Sequence, residues 1–202
     1  MPAMDEPASP EPDEERLEAL SRAFRSGEDV LGDWYRAAFP RVRRLARGFL
    51  ASQDGADDVA QNVMLHLVDT IQRWDPERPF AAWQRGVVLN HCRNHDRAAR
   101  RRREHEGAAG AAWYEGTLPG PAEAAESGEL GSLIDRALVL LPQREREVFV
   151  LVDLEGTSQR DAADVLEVAQ STVRAALSMA RRRLREALAP HLAPHITGGG
   201  LT

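Results

Sequence analysis

"GTSQRDAADVLEVAQSTVRAALSMARRRLR", Gly156 to Arg185, decides the fold of the second half of this chain. Ser158 followed three residues later by Asp161 is a capping-box pattern, in which a hydroxyl satisfies a free N–H at a helix start. It opens a short helix, "QRDAADVL". A three-residue turn follows, then a longer helix in which Val173, Leu177, Ala180 and Leu184 recur at three-to-four spacing and share one face. With that stripe turned inward, Gln170, Ser171, Thr172, Arg174 and Ser178 face away, and Arg181, Arg182, Arg183 and Arg185 extend the charge. The pattern describes a helix-turn-helix, whose second helix meets base edges while flanking cations meet phosphates. Five arginines and no acid lie between Arg174 and Arg185, a net +5. A helix face exposed only to solvent would normally mix signs.

The residues before it are helical too. Leu133, Ile134, Ala137, Leu138 and Leu141 form one apolar face. Pro142 suits the first turn of the next helix, "QREREVFVLVDLEG", which Gly156 caps.

A second island of positive charge ends the first half. From His91 to Arg103 six arginines stand against one aspartate, another +5. Asn90, Arg93, Arg97 and Arg101 step by three, four and four, which predicts one shared helix face, with Asn94, Arg100, Arg102 and Arg103 around it. Upstream, Val30, Leu31, Trp34, Tyr35 and Ala38, then Val42, Leu45 and Phe49, predict a helix that Pro40 kinks or splits in two. Val59, Val63, Leu67 and Ile71 fall at strict i+4 steps in a helix over 57–73, flanked by Met64 and Val68. Asp54, Asp57 and Asp58 at its start complement the positive end of the helix dipole. "WDPERP" interrupts the pattern with two prolines, and a further helix restarts near Phe80. Trp83, beside Phe80 and Val87, is expected in the core.

Composition bounds the rest. The formal net charge is -6 over 202 residues, so the cations are concentrated in two islands on an acidic chain, and a polyanionic partner is not excluded. All 26 basic residues are arginine, which offers a planar fork for phosphate and guanine, although a genome rich in G and C would favour arginine codons equally well. The length suffices for one or two domains with a real core. Cys92, the single cysteine, excludes an internal disulfide and fits a reducing, cytoplasmic setting. No run of about 18 apolar residues occurs, so no membrane span is expected, and the acidic, proline-bearing start differs from the basic-then-apolar pattern of a secretory signal. Nine acids against three arginines in the first 29 residues predict an acidic, largely disordered head over 1–28. Residues 105–128, rich in Gly, Ala, Pro and Glu, predict a flexible linker, in which Trp113 and Tyr114 stand out. No stretch alternates like a strand. The expected fold is all-α, with two helical domains joined by a tether.

At this point the chain resembles a known family. "LPQREREVFVL", "DLEGTSQRDAADVL" and "STVRAALSMARRRLR" are similar to region four of the extracytoplasmic-function group of bacterial sigma-70 factors. "GADDVAQNVMLHLV", "WDPERPFAAW" and "LNHCRNHDRAARRRR" are similar to region two. The resemblance covers about residues 29–188 and implies a region 2 bundle over 29–104, a region 4 helix-turn-helix over 129–189 and a tail over 190–202. It implies a promoter-specificity subunit of RNA polymerase with no catalytic residue, metal or cofactor. The partners it implies are the polymerase core, through the beta-prime clamp helices and the beta flap, promoter DNA and an anti-sigma protein. In the polymerase-binding helix the contacts fall at Asp57, Asp58, Gln61, Asn62, Leu65 and His66. The loop "RWDPERPF" corresponds to the family's pocket for an unstacked base of the minus-10 element. That assigns Asp75, Pro76, Arg78, Pro79 and Phe80 to minus-10 DNA, with Asn90, Arg93, Asn94, Arg97, Arg100 and Arg101. Gln170, Ser171, Thr172, Arg174, Ser178, Arg181 and Arg182 fall in the minus-35 reader.

Two positions depart from the family's pattern. Asn62 stands where Glu is common. Glu167 stands where the turn often has Gly; a left-handed Glu there costs about 1–2 kcal/mol and predicts a distorted turn. Three rival readings are weaker. His91, Cys92 and His95 lack a second cysteine, a carboxylate pair and zinc spacing. A metal-dependent nuclease would need a general base with a partner, and the acids at 54–58 sit where a helix start needs them. A stand-alone helix-turn-helix regulator explains the second half but leaves "DDVAQNVMLHL" and "WDPERP" without a role.

Overall fold

The protein is described from a computed structural model over residues 12–52, 55–105 and 130–196, and no strand occurs among them. The first half contains α1 (Pro12–Arg25), α2 (Leu31–Phe49), α3 (Ala56–Thr70, closed by a tight turn Ile71–Arg73) and α4 (Phe80–His105). The second contains α5 (Leu130–Val139), α6 (Gln143–Phe149, running on as a wider turn Val150–Leu154), α7 (Gln159–Leu166) and α8 (Gln170–Ile196). The predicted linker lies outside the described residues apart from His105.

The apolar stripes make the core where the spacing predicts, except that Leu31 and Tyr35 of α2 are exposed. Val59, Val63 and Leu67 of α3 pack with Trp34, Val42, Leu45 and Phe49 of α2, and Val173, Leu177, Ala180 and Leu184 of α8 are buried with Leu151 and Leu166. Burying each such side chain stabilises the fold by roughly 1.5–3 kcal/mol relative to exposure. Pro40 does not split α2, which is continuous from Leu31 to Phe49. It stands on the exposed side, where the carbonyl it leaves without an N–H can be met by water.

The predicted disordered head is corrected over its second half. Pro12–Arg25 is a helix, because Leu17, Leu20 and Phe24 recur at three-to-four spacing within the acidic sequence. Leu17 is buried, Phe24 packs 5.0 Å from the Trp34 ring, and buried Ser21 Oγ accepts the Trp34 indole N–H at 2.9 Å.

Local rules close the second half. Pro142 is the residue before α6, and Gly156 ends the wider turn at φ 64, with Thr157 N–H donating to Leu151 O at 2.9 Å. Ser158 Oγ accepts from Asp161 N–H at 3.1 Å and donates to Asp161 Oδ2 at 2.8 Å. Glu167 is left-handed at φ 56, ψ 48, yet the turn is not distorted. Its own N–H and that of Val168 donate to Asp164 O and Ala163 O, so the helix end stays satisfied and holds Glu167 there.

The two halves pack together rather than only sharing a chain. Gly48 of α2 meets Val150 so closely that an added Cβ would lie 3.0 Å from Val150 Cγ2. Arg146 is buried, donating to Phe49 O and Leu141 O at 3.0 Å each and standing 3.7 Å from Asp96. Glu155, half-buried with its side chain 2% exposed, receives Arg41 at 2.9 Å and Arg44 at 3.0 Å, and Arg47 reaches Asp135 at 2.9 Å.

Candidate nucleic-acid interface

Three surfaces carry the predicted site residues. On α3, Asp57, Asp58, Gln61, Asn62, Leu65 and His66 are all exposed, while Val59, Ala60, Val63, Met64 and Leu67 face the core. Leu65 is 66% exposed, an apolar side chain left in water in the middle of a polar face. Asp57 accepts a forked pair of bonds from Arg43, at 2.6 and 3.3 Å, which holds its carboxyl below the usual range. His66 leans on His91 of α4 with ring centroids 4.9 Å apart. Burial and that neighbouring ring push His91 below its ordinary value.

The second surface is the loop before α4 and the helix that follows. Asp75, Arg78 and Pro79 are exposed and Pro76 is half-buried. Asp75 shapes the loop, its Oδ1 accepting from Glu77 N–H at 3.0 Å and its carbonyl from Arg78 N–H at 3.0 Å. The Trp74 indole N–H donates to Arg78 O at 2.9 Å. Phe80 requires a correction. Its ring is fully buried, set edge-on against Trp74 at 5.3 Å and Trp34 at 6.0 Å, so it forms the floor under the loop and offers nothing to solvent. Trp83, partly buried against Phe80 at 5.6 Å, belongs with that core as expected.

On α4, Asn90, Asn94, Arg97, Arg100 and Arg101 are exposed. Asn90, Asn94, Arg97 and Arg101 lie within about 60° of one another at ~100° per residue. Arg97 donates to Asn94 Oδ1 at 3.2 Å. Arg93 is the second correction. It turns from that face to the other half of the molecule and forks onto Glu147 Oε1 and Oε2, both at 2.8 Å. Arg93 is 24% exposed and Glu147 only 2%, and this carboxylate raises the Arg93 pKa. Cys92 is buried beside them, and burial pushes its thiol up, away from the thiolate a redox sensor needs.

The third surface is α8. Gln170, Ser171, Thr172, Arg174, Ser178, Arg181 and Arg182 are all exposed. Arg181 is clamped to Asp153 at 2.8 and 2.6 Å, and Arg183 to Glu145 at 3.0 Å, both within the second half. Among the described residues Arg174 has no ion pair and Arg182 only a loose one, 3.9 Å from Glu186. No group of three or more His, Cys, Asp or Glu among the described residues is placed to hold a metal, and no helix there is long and apolar enough to cross a membrane.

Sequence reasoning missed two sets of residues. One is the latch between the halves, whose partners are far apart in the chain. The other is Glu18 and Arg22 of α1, which reach the loop: Glu18 Oε2 accepts from Phe80 N–H and Arg22 donates to Pro76 O, each at 2.7 Å. The spacing of Leu17, Leu20 and Phe24 was the available signal for that helix.

Comparison with known proteins matches two stretches of the chain to one family. Residues 34–102 match the family model described as Sigma-70 region 2, and residues 132–184 the one described as Sigma-70, region 4. The chain is 33% identical over 159 residues to ECF RNA polymerase sigma factor EcfG of Rhodopseudomonas palustris, covering 77% of this chain and 83% of that one. It is 30% identical over 165 residues to ECF RNA polymerase sigma factor SigM of Mycobacterium tuberculosis, covering 79% and 80%. Among solved structures, the fold is shared with sigma factor RpoE in complex with the anti-sigma factor NepR from Bartonella quintana. There the TM-score is 0.62 at 23% identity, over 78% of this chain and 96% of that one. CnrH, solved in complex with the cytosolic domain of CnrY, matches at a TM-score of 0.58 and 26% identity, over 88% and 97%.

Proposed function

Because this chain belongs to the extracytoplasmic-function sigma factors of bacterial RNA polymerase, we propose that its three exposed surfaces divide the work of starting transcription. The chain directs the polymerase core to specific promoters. The α3 face docks on the clamp helices of the core, with Leu65 as the apolar centre of a polar rim. The region around α8 reads the minus-35 element, Gln170 to Ser178 toward base edges and Arg182 toward phosphate. The loop over 74–79 and the Asn90–Asn94–Arg97–Arg101 face receive the minus-10 element as it opens. Unstacking a base costs a few kcal/mol, which the rim of Asp75, Arg78 and Pro79 over the Trp74–Phe80 floor would offset. Two prolines stiffen that loop and lower the entropy lost when it closes on a base.

The protein has no chemistry of its own in this reading; bond formation belongs to the polymerase. It works in the cytoplasm, where the core is. An anti-sigma protein is a further partner, as sigma factor RpoE was solved in complex with one.

The single observation that carries the reading is the exposed α3 face around Leu65 on a helix whose opposite side is core. A stand-alone regulator has no use for it. Run-off transcription with purified core tests this: the wild-type chain yields discrete start sites, and Leu65→Asp loses core binding and transcripts while keeping its melting temperature. Full transcription by Leu65→Asp, or tight promoter binding without core and no transcripts, would overturn it.

A further inference from the structure

The first described helix lies outside both family matches, which begin at residue 34 and residue 132. It nevertheless holds the segment over 72–80 at four residues, Gln72, Trp74, Pro76 and Phe80. Glu18 Oε2 accepts the Phe80 N–H at 2.7 Å, at the start of α4, where a helix leaves its first donors unsatisfied. Arg22 donates to Pro76 O at 2.7 Å, at the loop's crest, and its guanidinium stands 5.6 Å over the Trp74 ring. The Gln72 amide, just before the loop, donates to Arg25 O at 2.8 Å.

These contacts form one unit. Arg22 also bonds Glu18 Oε1 at 2.8 Å, so the residue that caps α4 and the residue that clasps Pro76 fix each other's rotamers. Leu17 and Ser21 anchor the same helix on Trp34, which packs against Phe80. The helix therefore touches the loop's crest, its floor and its downstream end. Its acidic composition, read from sequence as a largely disordered head, supplies the carboxylate that this arrangement uses.

We infer that Glu18 and Arg22 are positioning residues for strand opening, α1 acting as a splint that keeps the loop in its base-receiving shape. The inference rests on the reading that this loop takes the unstacked base. A flexible loop would have to be ordered at the moment of opening, when the DNA is also paying for unstacking. Ordering it beforehand moves that term out of the opening step.

The test uses full-length chain with core polymerase and follows permanganate reactivity of unpaired promoter thymines over time. Glu18→Ala should slow opening by about ten- to a hundredfold, the range expected when reacting groups are held about 1 Å out of place. Core affinity and upstream protection should stay unchanged. Glu18→Gln keeps a carbonyl oxygen for the Phe80 N–H and should restore most of the rate. Arg22→Gln leaves the cap in place and should give a smaller slowing, which keeps the test alive if Glu18→Ala folds poorly. On a template whose minus-10 bubble is already mismatched, both slowings should vanish; a general folding defect would persist there.

The outcomes separate the splint from the reading beneath it. Arg78→Ala, on the loop's exposed rim, tests the pocket itself. If Arg78→Ala slows opening and the Glu18 and Arg22 variants do not, the splint is wrong and the pocket stands. If none of the three alters opening, the pocket reading fails and takes the splint with it.

Discussion

The two arginine islands carry the same net charge in the sequence and are used differently. In α8 the inward-leaning arginines, Arg181 and Arg183, are tied to Asp153 and Glu145 of their own half, and Arg174 and Arg182 stay turned outward. In α4, Arg93 leaves its helix face to reach a nearly buried carboxylate in the other half, while Arg97 and Arg101 remain outward. Helical spacing therefore locates positive charge but does not say which cation is structural. An arginine whose partner is local leaves its island intact. One whose partner is distant removes itself from the surface.

The sharpest contrast is between buried and exposed pairs. Arg146 is 3% exposed and satisfies two carbonyls as well as approaching Asp96. Arg146→Ala should lower stability by about 3–5 kcal/mol, the range for removing one partner of a buried ion pair. Arg181, half-exposed, should lose no more than about 1 kcal/mol as Arg181→Ala. Urea melts of the two variants check the ratio.

Next comes the latch itself. Arg93→Ala removes two charge-assisted bonds from Glu147, which keeps the Gln143 amide at 2.9 Å. A loss of about 2 kcal/mol is expected, less than for a fully isolated charge. The paired change Arg93→Met with Glu147→Met should recover most of it, since apolar side chains of similar volume replace a buried pair at little cost. If the double variant melts lower than the single, Glu147 stabilises the fold more through Gln143 and Arg144 than through Arg93.

Smaller again is the turn of the helix-turn-helix. Glu167→Gly relieves a left-handed residue at φ 56 and should raise stability by about 1 kcal/mol. A fall would mean that the Glu167 side chain holds the turn in some other way. The smallest effect is on pH. The folded His91 pKa lies below its ordinary 6.5, so as pH falls below 6.5 the unfolded chain takes up a proton that the folded chain resists. Stability should decline across the window from 6.5 down to the depressed folded value, then level off. His91→Gln should flatten that decline, measured as melting temperature against pH.

Much of the molecule was legible because its determinants are local. The stripes of α3 and α8 are periodic within one helix, so burial of Val59, Val63, Val173 and Leu177, and exposure of the opposite residues, followed from spacing alone. The capping by Ser158 and Gly156 is equally local. The burial of the Phe80 ring was not legible because Trp34 and Trp74 reach it from other segments, beside Trp83 of its own helix. The pairing of Arg93 was not legible because Glu147 is 54 residues away. The helix over Pro12–Arg25 was hidden by composition: its acids are solvated or bonded to distant groups, while a short stripe of Leu17, Leu20 and Phe24 does the folding.

The most direct test of this division follows strand separation at one promoter by holoenzymes carrying different chains. Holoenzyme with the Arg93→Met, Glu147→Met chain should open the same thymines as wild type. Holoenzyme with Arg97→Ala and Arg101→Ala should stay bound upstream and leave them paired. Normal opening by the Arg97, Arg101 variant, with loss of opening in the Arg93, Glu147 variant, would contradict the account.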